Sequence, residues 1–369
     1  MTDNINSHEK NIKGNREQLR QLGWNSYFEN MLAGMDAKQN RLARVISVQR
    51  NLFLVADGQD EWLCSPAGRI THSKAGDYPI TGDWVLTEDI VVTGIIPRRN
   101  MLSRGESGTR GSRSGSSVRG QAIAANLDTV FIVCGLDRDF NIRRLERYLT
   151  LVYNCGLTPV IVLTKADLHE DPEQFRPEAE NIAFGVPVVL TSMHDAAGVE
   201  ELDRYLENGQ TVAMIGSSGA GKSTLANRLY GNDIQATGAI STSVGKGRHT
   251  TTARELIRMP QGGMLMDNPG IREIAFHDDG SGIESTFADI QDLAAMCRFA
   301  DCSHSNEPGC AVLEAVENGQ LTAERLASYQ KMKREMEYIS ERRDKSADRV
   351  EKERWKGVSM RIKSMMKHR

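Results

Sequence analysis

The chain has 369 residues, 39% hydrophobic and 26% charged, with a formal net charge of −3. That balance excludes a collagen-like or wholly disordered polymer, and at ~100–200 residues per domain it predicts two or three domains. No window holds the ~18 consecutive apolar residues of a membrane-spanning helix, and the start, MTDNINSHEK, lacks the apolar run of a secretory leader, so a cytoplasmic protein with no membrane partner is expected.

Residues 1–40 read as a loose arm with a short helical piece around Leu19 to Leu32. Over residues 41–102 the runs RVISV, NLFLVADG, EWLCSPAG, DWVLT and VVTGIIPR are broken by Gly, Asp and Pro, which predicts a five-stranded barrel of the OB type. Phe53, Trp62 and Trp84 are either stacking platforms for bases or barrel core, and core is the commoner role. Residues 103–125 read as a flexible basic linker, because Ser103 to Gly120 holds eleven Gly or Ser and four Arg in eighteen residues and cannot bury a core.

Over residues 126–282 apolar runs such as LDTVFIVCG, TPVIVLT, VPVVLTS and TVAMI alternate with amphipathic stretches such as IRRLERYLTLVYN. This alternation predicts an α/β domain with a mostly parallel sheet covered on both faces. Residues 283–345 read as helical and 346–369 as a basic tail. Between Lys331 and Arg369, 14 Lys and Arg stand against 7 Asp and Glu. Such segments suit a polyanionic partner, and equally a solvated helix face.

Gly216-Ser217-Ser218-Gly219-Ala220-Gly221-Lys222-Ser223 fits the phosphate-loop pattern G-x-x-x-x-G-K-S/T, and Thr224 follows it. It lies after an apolar strand and before a helix, the context the motif requires. Its glycines let backbone N–H groups wrap a phosphate, Lys222 offers a cation to the β- and γ-oxygens, and the Ser223 hydroxyl is a magnesium ligand. Thr164-Lys165-Ala166-Asp167 fits the N/T-K-x-D pattern of guanine readers. The Asp167 carboxylate accepts from guanine N1–H and the exocyclic amine, a donor pair adenine lacks. Lys165 is placed along base and ribose. Thr164 stands where Asn is commoner, and its shorter side chain is expected to lose a tether between base loop and phosphate loop, which bears on affinity rather than on specificity. Ser192 is a candidate support for the guanine carbonyl or an ordinary strand-end serine.

Asp267-Asn268-Pro269-Gly270 fits D-x-P-G beside a γ-phosphate, with Asp267 holding magnesium through water and the Gly270 amide sensing the γ-phosphate. Thr250 or Thr251 is the remaining magnesium ligand. Ile271 stands where Ras-like enzymes carry a glutamine that orients water, so slow intrinsic turnover is expected, with His249 the candidate water-positioning group or a loop histidine without a role. Cys297, Cys302, His304 and Cys310 supply three thiolates and an imidazole, a set that suits one closed, structural zinc ion.

The motif order, Thr164–Asp167, then Gly216–Ser223, then Thr250, then Asp267, is a circular permutation of the Ras-like order. This permuted order, preceded by a small barrel and followed by CRFADCSHSNEPGC, resembles the ribosome small-subunit-dependent GTPase A family, also called RsgA, over approximately residues 40–330. The resemblance implies a GTPase stimulated by the small ribosomal subunit, acting late in that subunit's maturation, binding GTP and GDP, and contacting ribosomal RNA with its outer domains. A monomer is expected. The competing readings are an RNA-binding assembly factor whose nucleotide is not hydrolysed and an ATPase in which Asp167 is irrelevant.

Overall fold

The computed structural model describes residues 16–35, 40–49, 51–71, 78–104, 121–192, 194, 197–231, 255–267 and 281–337. The chain divides into two compact units, residues 1–103 with 122–272, and residues 104–121 with 273–369.

In the first unit the arm contains two helices, Arg16–Gln21 and Ser26–Ala33. Asn25 caps the second, its side chain accepting from Tyr27 N at 3.0 Å. Leu19, Leu22, Trp24 and Phe28 are buried, and Trp24 meets Trp84 edge to face at 4.8 Å between centroids. Between the helices Gly23 turns at φ +92, where a Cβ would stand 2.7 Å from Arg44 Nη1 and 2.9 Å from the Gly209 carbonyl.

Trp84 belongs to a barrel of β1 (Arg41–Gln49), β2 (Leu52–Ala56), β3 (Glu61–Pro66), β4 (Trp84–Glu88) and β5 (Val91–Ile95). The order β1-β2-β3-β5-β4 closes where β4 pairs back on β1, from Arg41↔Thr87 to Arg44↔Trp84. The sharp curvature this needs coincides with a bulge in β1 between Val45 and Ser47. Phe53 and Trp84 are fully buried, so they are core and not stacking platforms. The Arg41 guanidinium lies 4.0 Å over the Trp62 ring and covers one face of it.

After the barrel, β6 (Met101–Arg104) pairs with β7 (Gln121–Ala125). The strand at 121–125 departs from the linker expected over 103–125. Its QAIAA run buries Ile123, Ala124 and Ala125, an apolar signal that the adjoining Gly/Ser/Arg composition conceals.

The α/β part contains β8 (Thr129–Gly135), β9 (Thr158–Thr164), β10 (Val188–Leu190), β11 (Thr211–Ile215), β12 (Glu255–Arg258) and β13 (Met264–Asp267), in the order β10-β9-β8-β11-β13-β12. Neighbours from β10 to β13 are parallel and β12 is antiparallel to β13. Every residue of β8 and β11 is buried, as a sheet covered on both faces requires. Helices Ile142–Asn154, Arg176–Ile182, Ala197–Asp203 and Lys222–Tyr230 supply the cover. From β8 the chain moves outward to β9 and β10, then returns to β11 on β8's other side. A crevice at such a reversal, at the carboxyl ends of the strands, is where open α/β sheets bind ligands.

Barrel and α/β sheet are continuous, joined at Ser47↔Glu255 between β1 and β12. Beside that seam Arg44 is wholly buried. Its guanidinium donates to the carbonyls of Leu22, Gly82 and Asn126 and to Thr211 Oγ1, tying arm, barrel and α/β sheet to one cation. Burial lowers its pKa to about 10.

The second unit consists of helices Ser281–Thr286, Ala288–Ala294 and Ala311–Glu317 and a helical segment over 323–337. Phe287, Ile290, Val312, Leu326, Tyr329, Met332 and Met336 form its core. Arg325 pairs with Asp289 at 2.9 Å and donates to the Thr286 carbonyl at 2.7 Å. Among the described residues no helix is long and apolar enough to cross a membrane.

Candidate functional site: a phosphate-loop crevice and a thiol–imidazole cluster

The phosphate loop leaves β11 at the reversal point. Gly216 sits at φ +149, where a Cβ would stand 2.1 Å from the Val133 carbonyl, so only glycine passes β8 there. Gly221, at φ +93, opens helix Lys222–Tyr230, and its N–H groups face the crevice end of the sheet. Lys222 Nζ donates to the carbonyls of Gly216 at 2.8 Å and Ser217 at 2.6 Å, so the lysine folds over its own loop. Burial holds this ammonium below its ordinary value, and the Asp139 charge acts in the opposite sense.

The base-reading segment leaves β9 two strands away. Thr164 is buried, and its hydroxyl donates to the Ala220 carbonyl of the phosphate loop at 2.6 Å. The expected loss of this tether is therefore corrected: the threonine hydroxyl spans the gap because Gly221 admits it, a Cβ there lying 3.1 Å from Thr164 Oγ1. Lys165 has left-handed backbone, φ 61. Ala166 and Asp167 begin a short 3-10 turn ending at Leu168, and Ala166 N donates to the Thr191 carbonyl at 3.1 Å. Ser192, two residues past the end of β10, accepts from His194 N at 3.0 Å and closes a local turn. Asp267 ends β13 beside β11. His249, Thr250, Thr251, Gly270 and Ile271 lie outside the described residues.

Sequence motifs miss two further residues. Asp137 and Asp139, in the turn after β8, contact Lys165 and Ser217. The signal was an Asp-x-Asp directly after a buried strand, but only the sheet order shows that this turn lies between the other two segments.

In the second unit the four cluster residues point their ligand atoms at one another, all within 4.8 Å. Cys297 Sγ lies 3.8 Å from Cys310 Sγ and 3.7 Å from His304 Nδ1, which is 3.4 Å from Cys310 Sγ. Two sulfurs on a tetrahedral zinc with Zn–S of ~2.3 Å stand about 3.8 Å apart. The donors thus fit such an ion. The supporting loop is hydrogen-bonded within itself and to the last helical segment: the Glu307 carboxylate accepts from the backbone N–H groups of Ser303, Ser305 and Asn306, and Gln330 Nε2 donates to the His304 carbonyl at 2.8 Å. The Cys297 thiol, although burial opposes ionisation, is held below its ordinary value by the N–H groups of Val312 and Ala311 at a helix start.

The family model of the RsgA GTPase matches residues 95–277. A small ribosomal subunit biogenesis GTPase RsgA from Methanosarcina acetivorans is 44% identical over 300 residues, 80% of this chain and 79% of its own. The chain belongs to the RsgA GTPase family. A second RsgA, from Opitutus terrae, is 39% identical across 92% of this chain and 95% of its own. The crystal structure of YjeQ from Thermotoga maritima superposes with a TM-score of 0.60 at 29% identity, covering 80% of this chain and 98% of that one. YloQ, described as a circularly permuted GTPase, gives 0.57 at 26% identity, covering 82% and 96%. The RsgA fold, a five-stranded barrel, a permuted GTPase sheet and C-terminal helices with a Cys/His cluster, is the fold of this chain, and the chain is a GTPase.

Proposed function

We propose that this GTPase acts in maturation of the small ribosomal subunit, is stimulated by that subunit, and contacts its RNA through the barrel and the C-terminal unit. One observation carries the nucleotide assignment: the base-reading segment, the phosphate loop and Asp267 all leave the carboxyl ends of parallel strands, and Thr164 bonds the first two together. The family relatives bear the name small ribosomal subunit biogenesis GTPase, which supports the ribosomal partner. The basic stretch at 331–369 supports contact with a polyanion.

In this reading Asp167 selects guanine, with Lys165 and Ala166 shaping the base site and Ser192 behind it. The backbone N–H groups of Ser217 to Thr224 surround the phosphates, and Lys222 leaves the Gly216 and Ser217 carbonyls to meet the β- and γ-oxygens. The Ser223 hydroxyl, Thr250 or Thr251, and Asp267 through a water would hold magnesium, which would supply positive charge beside the triphosphate. Gly270 meets the γ-phosphate, and His249 positions the attacking water in the presence of the ribosomal partner. Cys297, Cys302, His304 and Cys310 would hold a zinc ion that would fix a loop of the second unit. The protein acts as a cytoplasmic monomer.

The test is phosphate release from GTP with and without purified small subunits. Stimulation by small subunits and not by large ones is expected, steeply reduced by salt. An identical rate with and without them refutes the ribosomal assignment.

A further inference from the structure

The turn joining β8 to helix Ile142–Asn154 carries no phosphate- or base-reading motif, yet its two carboxylates touch both segments that read the nucleotide. Asp137 Oδ2 lies 2.6 Å from Lys165 Nζ, and Asp137 Oδ1 accepts from Asp139 N at 2.9 Å. The lysine stem runs across Gly135, where a Cβ would stand 3.3 Å from both Cδ and Cε and 3.0 Å from Asp137 Oδ1. Asp139 accepts the Ser217 hydroxyl at 2.5 Å and the Gly135 N–H at 3.3 Å, and pairs with Arg144. The Arg144 backbone N–H is capped by the Asn141 side chain at 3.0 Å, which closes the first turn of the helix that carries it.

We propose that Asp137 and Asp139 are positioning residues of the nucleotide site, forming a brace in which Asp137 aims Lys165 at the base end while Asp139 holds Ser217, and with it the phosphate loop, at the other. This rests on the reading of Thr164–Asp167 and Gly216–Ser223 given above. A lysine has several rotatable bonds, and holding it before the nucleotide arrives removes part of the ordering cost of binding. The brace works from β8, the strand between β9 and β11, so it sets the spacing of the two segments that those strands present.

The test measures GDP affinity and GTP kcat and KM for Asp137→Asn, Asp137→Glu, Ser217→Ala, Asp139→Asn and the double variant Asp139→Asn/Ser217→Ala. The Lys165–Asp137 pair is about one-third exposed, so Asp137→Asn is expected to weaken GDP binding about fivefold at low salt. KM should rise with kcat unchanged, Asp137→Glu should recover most of the loss, and the gap should close near ~1 M KCl as the pair is screened. Ser217→Ala should weaken binding, and adding Asp139→Asn should then cost less than it does alone. Wild-type affinity in Asp137→Asn and Ser217→Ala overturns the brace. So does a loss that ignores salt and follows a fall in melting temperature, the mark of a merely structural role. Lys222→Ala separates the two readings: if it abolishes binding while the brace variants bind normally, the brace alone fails, and if it binds normally, the phosphate-loop reading falls and the brace with it.

Discussion

Thr164→Val tests the join between base loop and phosphate loop with a nearly isosteric change. The hydroxyl donates to the Ala220 carbonyl at 2.6 Å, whereas a methyl in its place needs roughly 3.3 Å from a carbonyl oxygen. The loop must therefore retreat by about 0.7 Å, the difference between these distances, or the threonine strand must. The Ala220 carbonyl also loses its donor at a buried site, which costs about 1–3 kcal/mol. For a unit of this size that lowers the melting temperature by roughly 2–12 °C. A displaced loop also offers its N–H groups to phosphates at the wrong distance, and sub-ångström to ångström misplacements cost up to ~100-fold. Calorimetric titration of GDP should thus show weaker binding by about fivefold or more, with Thr164→Ser within about twofold of wild type. If Thr164→Val melts and binds like the parent, the hydroxyl is no tether and the reasoning fails.

Nucleotide affinity should also depend on alkaline pH. Lys222 attracts phosphates only when protonated and its pKa is lowered, so affinity is full at neutral pH and falls as pH rises toward a value below the ordinary 10.5; affinity unchanged up to that value refutes this. Asp167→Asn replaces an acceptor with a donor, so GTP should bind at least ~10-fold more weakly while XTP, which carries a carbonyl where guanine has an amine, gains; competition between the two nucleotides reads this directly. Elemental analysis should find one zinc per chain, and Cys310→Ser should lose both the metal and helical circular dichroism from the second unit; full helicity without metal counts against a structural ion.

The features that sequence revealed were contiguous ones. The phosphate loop, the Thr164–Asp167 segment and the cysteine cluster each fit within fourteen residues, and the alternating apolar runs marked the strands around them. Interactions between distant segments were hidden. The arm reads as loose because Leu19, Leu22, Trp24 and Phe28 are spaced among polar residues, and Trp84, the packing partner of Trp24 and Phe28, lies far along the chain. Arg44 interrupts an apolar strand as any surface arginine would, and nothing local marks it as buried. Asp137 and Asp139 look like ordinary turn residues until β8 is placed between β9 and β11. Thr164 was a special case, since a departure from the common residue suggested a lost bond that the geometry retains.

Arg44 makes the barrel a poor candidate for transplantation or removal. A hydrolase trimmed of its first hundred residues would lose the guanidinium that satisfies the Asn126 carbonyl and the Thr211 hydroxyl, and would lay bare β12 as a raw strand margin inviting self-association. A barrel expressed alone would carry that same cation with half its acceptors missing. The two modules are thus obligate companions, and whatever grips the barrel moves the hydrolase as a handle moves a blade.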